Sequence, residues 1–189
     1  MNNLIEDIIQ IDKKLLVFLN NLGSEQWDSL WLTITNQLNW IPLFLLIFFL
    51  IIKSYGWKRG GFMILAMVVL VGVSDQFTNL IKNTVQRLRP NNDPQIYQLL
   101  RNLIDPQSYS FMSGHATTST FFTIFAILLL KEKYKYSYFL LLFPAFFSYS
   151  RLYLGVHFPI DIIVGILIGV IFGNLYFRLY QKLDRVSFN

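Results

Sequence analysis

The chain has 189 residues, the length of one domain, but 54% of them are hydrophobic and 17% aromatic, too apolar for an ordinary water-soluble fold. The absence of cysteine excludes disulfides, thiolate catalysis and cysteine-held metals. The net charge of +5 comes from Lys and Arg scattered between apolar runs, not gathered on one polar face, which argues for a membrane as solvent and against a nucleic-acid partner.

Residues 4 to 19 place Leu4, Ile8, Ile11, Leu15, Phe18 and Leu19 at helical spacing with acids and lysines on the other side, predicting an amphipathic helix in the membrane interface. Glu6, Asp7, Asp12, Lys13 and Lys14 interrupt the apolar run that a cleavable signal sequence needs, so this segment is expected to be retained. Residues 27 to 52 begin as a Trp-rich interfacial turn and become a first span from Trp40 onward, with a kink expected at Pro42. A short loop over residues 53 to 61, carrying Gly56, Gly60 and Gly61, leads to a second span over residues 62 to 82. That span turns polar at Ser74, Asp75, Gln76, Thr78 and Asn79.

A long connection over residues 89 to 113 follows, rich in Pro, Asn and Asp and of a length more often functional than passive. Further spans are predicted over residues 113 to 130, 136 to 151 and 159 to 180, each near the ~20 residues a helix needs to cross hydrocarbon. The fold class is therefore an all-α integral membrane bundle of about five transmembrane helices plus the N-terminal helix, which would make a sixth span if it crosses. No repeat or linker divides the chain, so residues 1 to 189 read as one domain, with the amphipathic helix in residues 1 to 22.

Lys53, Lys58 and Arg59, then Lys131, Lys133 and Lys135, then Arg178, Lys182 and Arg185 all fall on one side of this arrangement. The positive-inside tendency makes that side cytoplasmic and puts the long connection on the outer face of a bacterial-type cytoplasmic membrane. Lys82, Arg87, Arg89, Arg101 and Arg151 then lie on the outer side, where that tendency disfavours them, together with both histidines of the chain, His115 and His157.

Several fixed cations make a site for a dianion, and guanidinium groups grip phosphate oxygens in pairs. Ser113, Gly114 and His115 open a span, so amides at a helix N-terminus can point at the same anion, with Gly114 permitting close approach. Taken alone, the triplet also reads as a serine cap beside an interfacial histidine. His157 precedes Pro159 and Asp161, a carboxylate one turn on that can fix the imidazole tautomer; taken alone, this is equally a polar cap at a span entrance.

Together these segments resemble the signature of the type 2 phosphatidic acid phosphatase family. Lys82, Arg89 and Pro90 match its first motif, Ser113, Gly114 and His115 its second, and Ser150, Arg151, His157 and Asp161 its third. Three spaced motifs are far more specific than one short pattern. The resemblance implies a lipid phosphate substrate and hydrolysis with neither metal nor other cofactor. His157 would attack phosphorus, His115 would protonate the leaving oxygen and Asp161 would orient His157. Lys82, Arg89, Ser113, Gly114 and Arg151 would bind the phosphate. One position departs from the family pattern: Met112 stands where proline is usual.

A transporter would be expected to place its charges near the bilayer centre, and an inactive scaffold to lack one of His115, His157 or Asp161. Among family substrates, the small size and outward site favour undecaprenyl diphosphate, with phosphatidylglycerophosphate or lipid A phosphate as alternatives. The segment around Tyr97 and Tyr109 is the expected selector. Asp75, seven residues before Lys82, is expected to make a structural polar contact within the bundle.

Overall fold

The structure, a computed structural model, describes residues 2–188. Six α-helices are found among them: α1 Asn2–Asn21, α2 Glu25–Thr35, α3 Ile41–Val85, α4 Gly114–Leu130, α5 Leu142–Tyr153 and α6 Pro159–Phe188. No strand occurs among the described residues, in keeping with the all-α expectation. Two apolar helical stretches, Gln37–Asn92 and Pro159–Ser187, are long enough to cross a membrane, and Gly114–Leu130 is a shorter apolar helix.

Proline marks helix starts. Pro159 is the first residue of α6, and Pro42 falls in the first turn of α3, not at the kink expected there. A missing N–H costs nothing in a first turn, so Pro42 begins a helix without bending one. The bend lies instead at Gly56, whose φ of 75° interrupts α3 and divides it into two legs. The expected loop over residues 53 to 61 is thus a single non-helical residue. Glycine adopts that backbone without strain, and its neighbours keep their intrahelical bonds, which a low-dielectric medium favours.

Two further segments differ from expectation. The Trp-rich stretch before the first span is a separate helix, α2, joined to α3 by a 3-10 turn over Gln37–Trp40. The return from α4 is 3-10 over Lys135–Leu141 before it becomes α5.

Helix α4 is central, packed against both α3 and α6 and against α5. Gly165, Gly169 and Gly173 form a small-residue stripe on α6 that presses on α4. A Cβ at Gly169 would stand 2.7 Å from the Thr117 carbonyl oxygen and 2.8 Å from Thr120 Cβ. Such stripes let helix backbones approach where lipid removes the hydrophobic drive for association. The opposite face of α6 presents Ile163, Leu167, Ile171, Leu175 and Leu179 outward, the pattern of a lipid-facing helix.

The three basic segments meet at one end of the bundle. Arg59 Nε donates to Asp184 at 3.0 Å, and Tyr55 donates to the Leu129 carbonyl at 2.6 Å. Helix α1 lies at the other end, where Lys13 pairs with Asp93 at 2.6 Å and Asn20 donates to the Tyr153 carbonyl at 2.6 Å. Its apolar residues Leu4, Ile8, Ile11, Leu15 and Phe18 face outward, while Asp12, Leu16 and Asn20 are buried against the bundle.

Candidate active site

Lys82, Arg89, Gly114, His115, Arg151 and His157 line one cavity of about 960 Å³. The last turn of α3 supplies Lys82, and the chain just beyond it supplies Arg89. The first turn of α4 supplies Gly114 and His115, the last turn of α5 supplies Arg151, and the turn into α6 supplies His157. Gly155 makes that turn possible, with a φ of 66° that residues bearing a Cβ adopt only under strain.

The hydrogen bonds of His157 settle its tautomer. Arg89 Nη1 lies 3.3 Å from Nε2 and Asp161 Oδ2 lies 3.4 Å from Nδ1. A guanidinium only donates and a carboxylate only accepts, so the proton belongs on Nδ1 and Nε2 carries the lone pair. Burial in this turn, outside the spanning helices, pushes His157 down to about 3, against the upward pull of Asp161. The ring is therefore neutral at ordinary pH, with its lone-pair nitrogen on the cavity wall.

Behind the wall, Asp161 is fully buried and accepts from the Phe158 amide at 2.9 Å, from Arg87 Nη1 at 2.7 Å and from the Ser110 hydroxyl. Arg89 is locked by its Nε on the Ser108 carbonyl at 2.6 Å and its Nη1 on the Val156 carbonyl at 2.8 Å. Arg151 donates from Nη1 to Thr35 Oγ1 at 2.6 Å, while its buried Nε has no partner among the described residues. Nor does any carboxylate among those residues pair with Lys82, Arg89 or Arg151 within salt-bridge distance. His115 stacks on Phe147 with ring centroids 4.6 Å apart, which fixes the imidazole plane from one side.

Two of the expected phosphate contacts divide by role. Gly114 lies on the cavity wall beside Lys82 and Thr78, where a Cβ would make ordinary contacts, 3.8 Å from Lys82 Nζ and 3.5 Å from Thr78 Oγ1. Ser113 is fully buried and does not line the cavity; its Oγ accepts from the Ala116 amide at 3.3 Å as the cap of α4, and its amide donates to the Asp161 carbonyl at 3.2 Å. Ser150 likewise stays out of the cavity and donates to the Phe147 carbonyl at 2.7 Å. Met112, at the usual proline position, is buried in the approach to α4.

Other residues were not singled out for the site by sequence reasoning. Arg87 belonged to the outer-side cations, but nothing in its spacing distinguished it from Arg101, which pairs instead with Asp28 at 2.9 Å on α2. Ser108, Ser110 and Thr35 come from irregular or distant segments without a periodic signal. Asp75 corrects an expectation: it is exposed on the cavity wall, held by the Asn79 amide at 3.1 Å, and is not tucked into the bundle.

The PAP2 superfamily model matches residues 60–185. The chain is 32% identical to a lipid A 4'-phosphatase of Bacteroides thetaiotaomicron over 85% of its own length and 72% of that protein's. It is 31% identical to an undecaprenyl-diphosphatase of Sulfolobus acidocaldarius, over 79% of its own length and 61% of the relative's. Its fold is similar to the crystal structure of a transmembrane PAP2 type phosphatidylglycerolphosphate phosphatase from Bacillus subtilis. The TM-score is 0.72 at 20% identity, covering 97% of this chain and 90% of that one. The chain belongs to the PAP2 superfamily of membrane lipid phosphatases. It is a hydrolase of phosphate esters from a family that needs no metal ion.

Proposed function

We propose that this phosphatase acts on a sugar-based lipid phosphate of the lipid A type, through a phosphohistidine on His157, at the outer face of the cytoplasmic membrane. The observation that carries the reaction is the placing of two imidazoles among Lys82, Arg89 and Arg151 on the walls of one cavity. Nε2 of His157 forms a bond to phosphorus as the bond from phosphorus to the lipid oxygen breaks. The electron pair leaves on that oxygen, and His115 supplies its proton. Water then adds to phosphorus, giving a proton to His115 as Nε2 departs, and inorganic phosphate is released.

Asp161 holds the Nδ1 proton and balances the positive charge that grows on the ring. Lys82, Arg89 and Arg151 meet the phosphoryl oxygens, and the first amides of α4, aligned by the Ser113 cap, complete the cradle. Phosphoryl transfer depends chiefly on such positioning and charge stabilisation. The chain works as a single unit, with the basic end of the bundle facing the cytoplasm.

The choice of lipid rests on the relatives and on Asp75. Relatives named as lipid A 4'-phosphatases match over more of their own length than the undecaprenyl-diphosphatase does, which moves the preference away from undecaprenyl diphosphate. Asp75 lines the cavity together with the apolar Phe44, Phe48, Val68 and Val71. A carboxylate repels a phosphate but accepts hydrogen bonds from hydroxyl or amide groups. A sugar lipid carries such donors close to its phosphate, whereas a prenyl diphosphate offers a second phosphate and then hydrocarbon, with no donor among them.

The test is phosphate release in detergent from lipid A 1,4'-bisphosphate, undecaprenyl diphosphate and phosphatidylglycerophosphate, with and without chelator. Lipid A bisphosphate is expected to give the highest kcat/KM and the chelator to change nothing. A clear preference for undecaprenyl diphosphate would restore the other substrate, and loss of activity on chelation would sink the mechanism.

A further inference from the structure

Arg87 stands between two buried carboxylates. Its Nη1 donates to Asp161 Oδ1 at 2.7 Å and its Nη2 to Asp12 Oδ2 at 2.7 Å. The guanidinium lies over the Phe158 ring, 3.8 Å from the centroid, which leaves little freedom to swing away. Asp12 is 3% exposed, and its other oxygen accepts from the Ile160 amide at 2.9 Å, in the first turn of α6. Asp12 belongs to α1, outside the residues 60–185 that match the family model. A helix with an outward apolar face is thereby fastened directly behind the cavity wall.

The charges explain what such a bridge does. One guanidinium shared by two carboxylates leaves the trio with a net negative charge, directed through Asp161 toward His157. Were Asp12 absent, the whole charge of Arg87 would fall on Asp161 and weaken its hold on a cationic imidazole. Were Arg87 absent, two carboxylates would face one another in a poorly solvated space, and one would take up a proton. We infer that Asp12 and Arg87 are positioning residues for the reaction, Arg87 fixing the orientation of Asp161 and Asp12 tempering the charge of Arg87. This rests on the reading of His157 as nucleophile with Asp161 as its partner.

The test uses full-length protein in detergent with lipid A 1,4'-bisphosphate and phosphatidic acid micelles, rates being taken on whichever the wild type hydrolyses. Asp12→Asn keeps an oxygen for the Ile160 amide and removes the charge and the acceptor that face Arg87. It is expected to lower kcat about 10-fold, and Arg87→Gln about 100-fold, with KM within about twofold, the range found when supporting hydrogen bonds behind a reactive group are removed. In an Asp161→Asn background either change should add almost nothing, because the group they act through is already lost.

Losses that multiply in that background, or a raised KM at unchanged kcat, would overturn the inference while leaving the mechanism standing. A wild-type rate for Asp161→Asn alone would overturn the mechanism itself. Should Arg87→Gln fail to fold, Arg87→Lys takes its place. It keeps the charge but cannot span both carboxylates, so the same kcat-selective loss is expected, and a wild-type kcat would count against the bridge.

Discussion

Arg151 and Arg59 sit at opposite ends of the bundle and in opposite surroundings. Arg59 leaves 47% of its side chain exposed while pairing with Asp184. Arg151 is 6% exposed, holds Thr35 with one nitrogen and keeps a buried Nε without a partner among the described residues. Asp184 is itself buried, but Arg59 and the Tyr180 hydroxyl at 2.8 Å both donate to it, so each charge of that pair has its partner within the chain. A buried guanidinium without a carboxylate is costly, and such a group persists where an anion from outside completes it. The charge at one end is thus answered within the chain, while Arg151 at the other stands on the cavity wall with no carboxylate beside it.

The sharpest break in that comparison comes from the imidazoles. His157→Ala and His115→Ala should each lower phosphate release by at least about 10³-fold, as expected for groups that bond to or protonate the reacting atoms. Thermal unfolding in detergent should show both variants folded; a folded variant with wild-type turnover would remove the assignment. Next in size, Arg151→Lys should cost about 100-fold in kcat/KM, since an ammonium cannot hold Thr35 and a phosphoryl oxygen with separate planar donors. At the other end, Arg59→Ala should leave kcat/KM within about twofold, and an equal loss at both ends would erase the distinction.

Asp75→Ala should lower kcat/KM on lipid A bisphosphate about 10-fold and leave undecaprenyl diphosphate nearly unchanged, the value of one lost hydrogen bond to a charged acceptor. Equal effects on both lipids would show that Asp75 reads no donor.

The smallest effect concerns pH and stability. Burial pushes His157 in the folded protein from the 6.5 of a free imidazole down to about 3. The unfolded chain therefore binds a proton that the folded one refuses between those values. The contribution of this neutral ring is fully present above pH 6.5 and is lost as pH falls, by at most about 1.4 kcal/mol per pH unit. The drop in unfolding temperature from pH 7 to pH 5 should be shallower in His157→Gln than in the wild type. Identical drops would show that His157 is not held neutral.

Lipid-facing periodicity, the break at glycine and the three spaced motifs were legible in the chain because each depends on neighbours in sequence. Helix spacing sets which side chains share a face, and Lys82, Arg89, His115, Arg151 and His157 stand at helix ends where short segments carry them. The same local reasoning misplaced the bend, since a proline in a first turn and one in a helix interior look alike until the helix start is known.

By itself, then, the sequence determined an all-α membrane phosphatase and singled out most of the charged and imidazole residues that line its cavity, because apolar length and motif spacing are one-dimensional properties. Only the tertiary structure decided which of the outer cations face the cavity, which supports Asp161 and which binds α2. It also brought Thr35 to Arg151 and set Asp12 against Arg87 from 75 positions away. These are pairings between distant segments, fixed by how the helices pack and by the need of each buried charge for a partner.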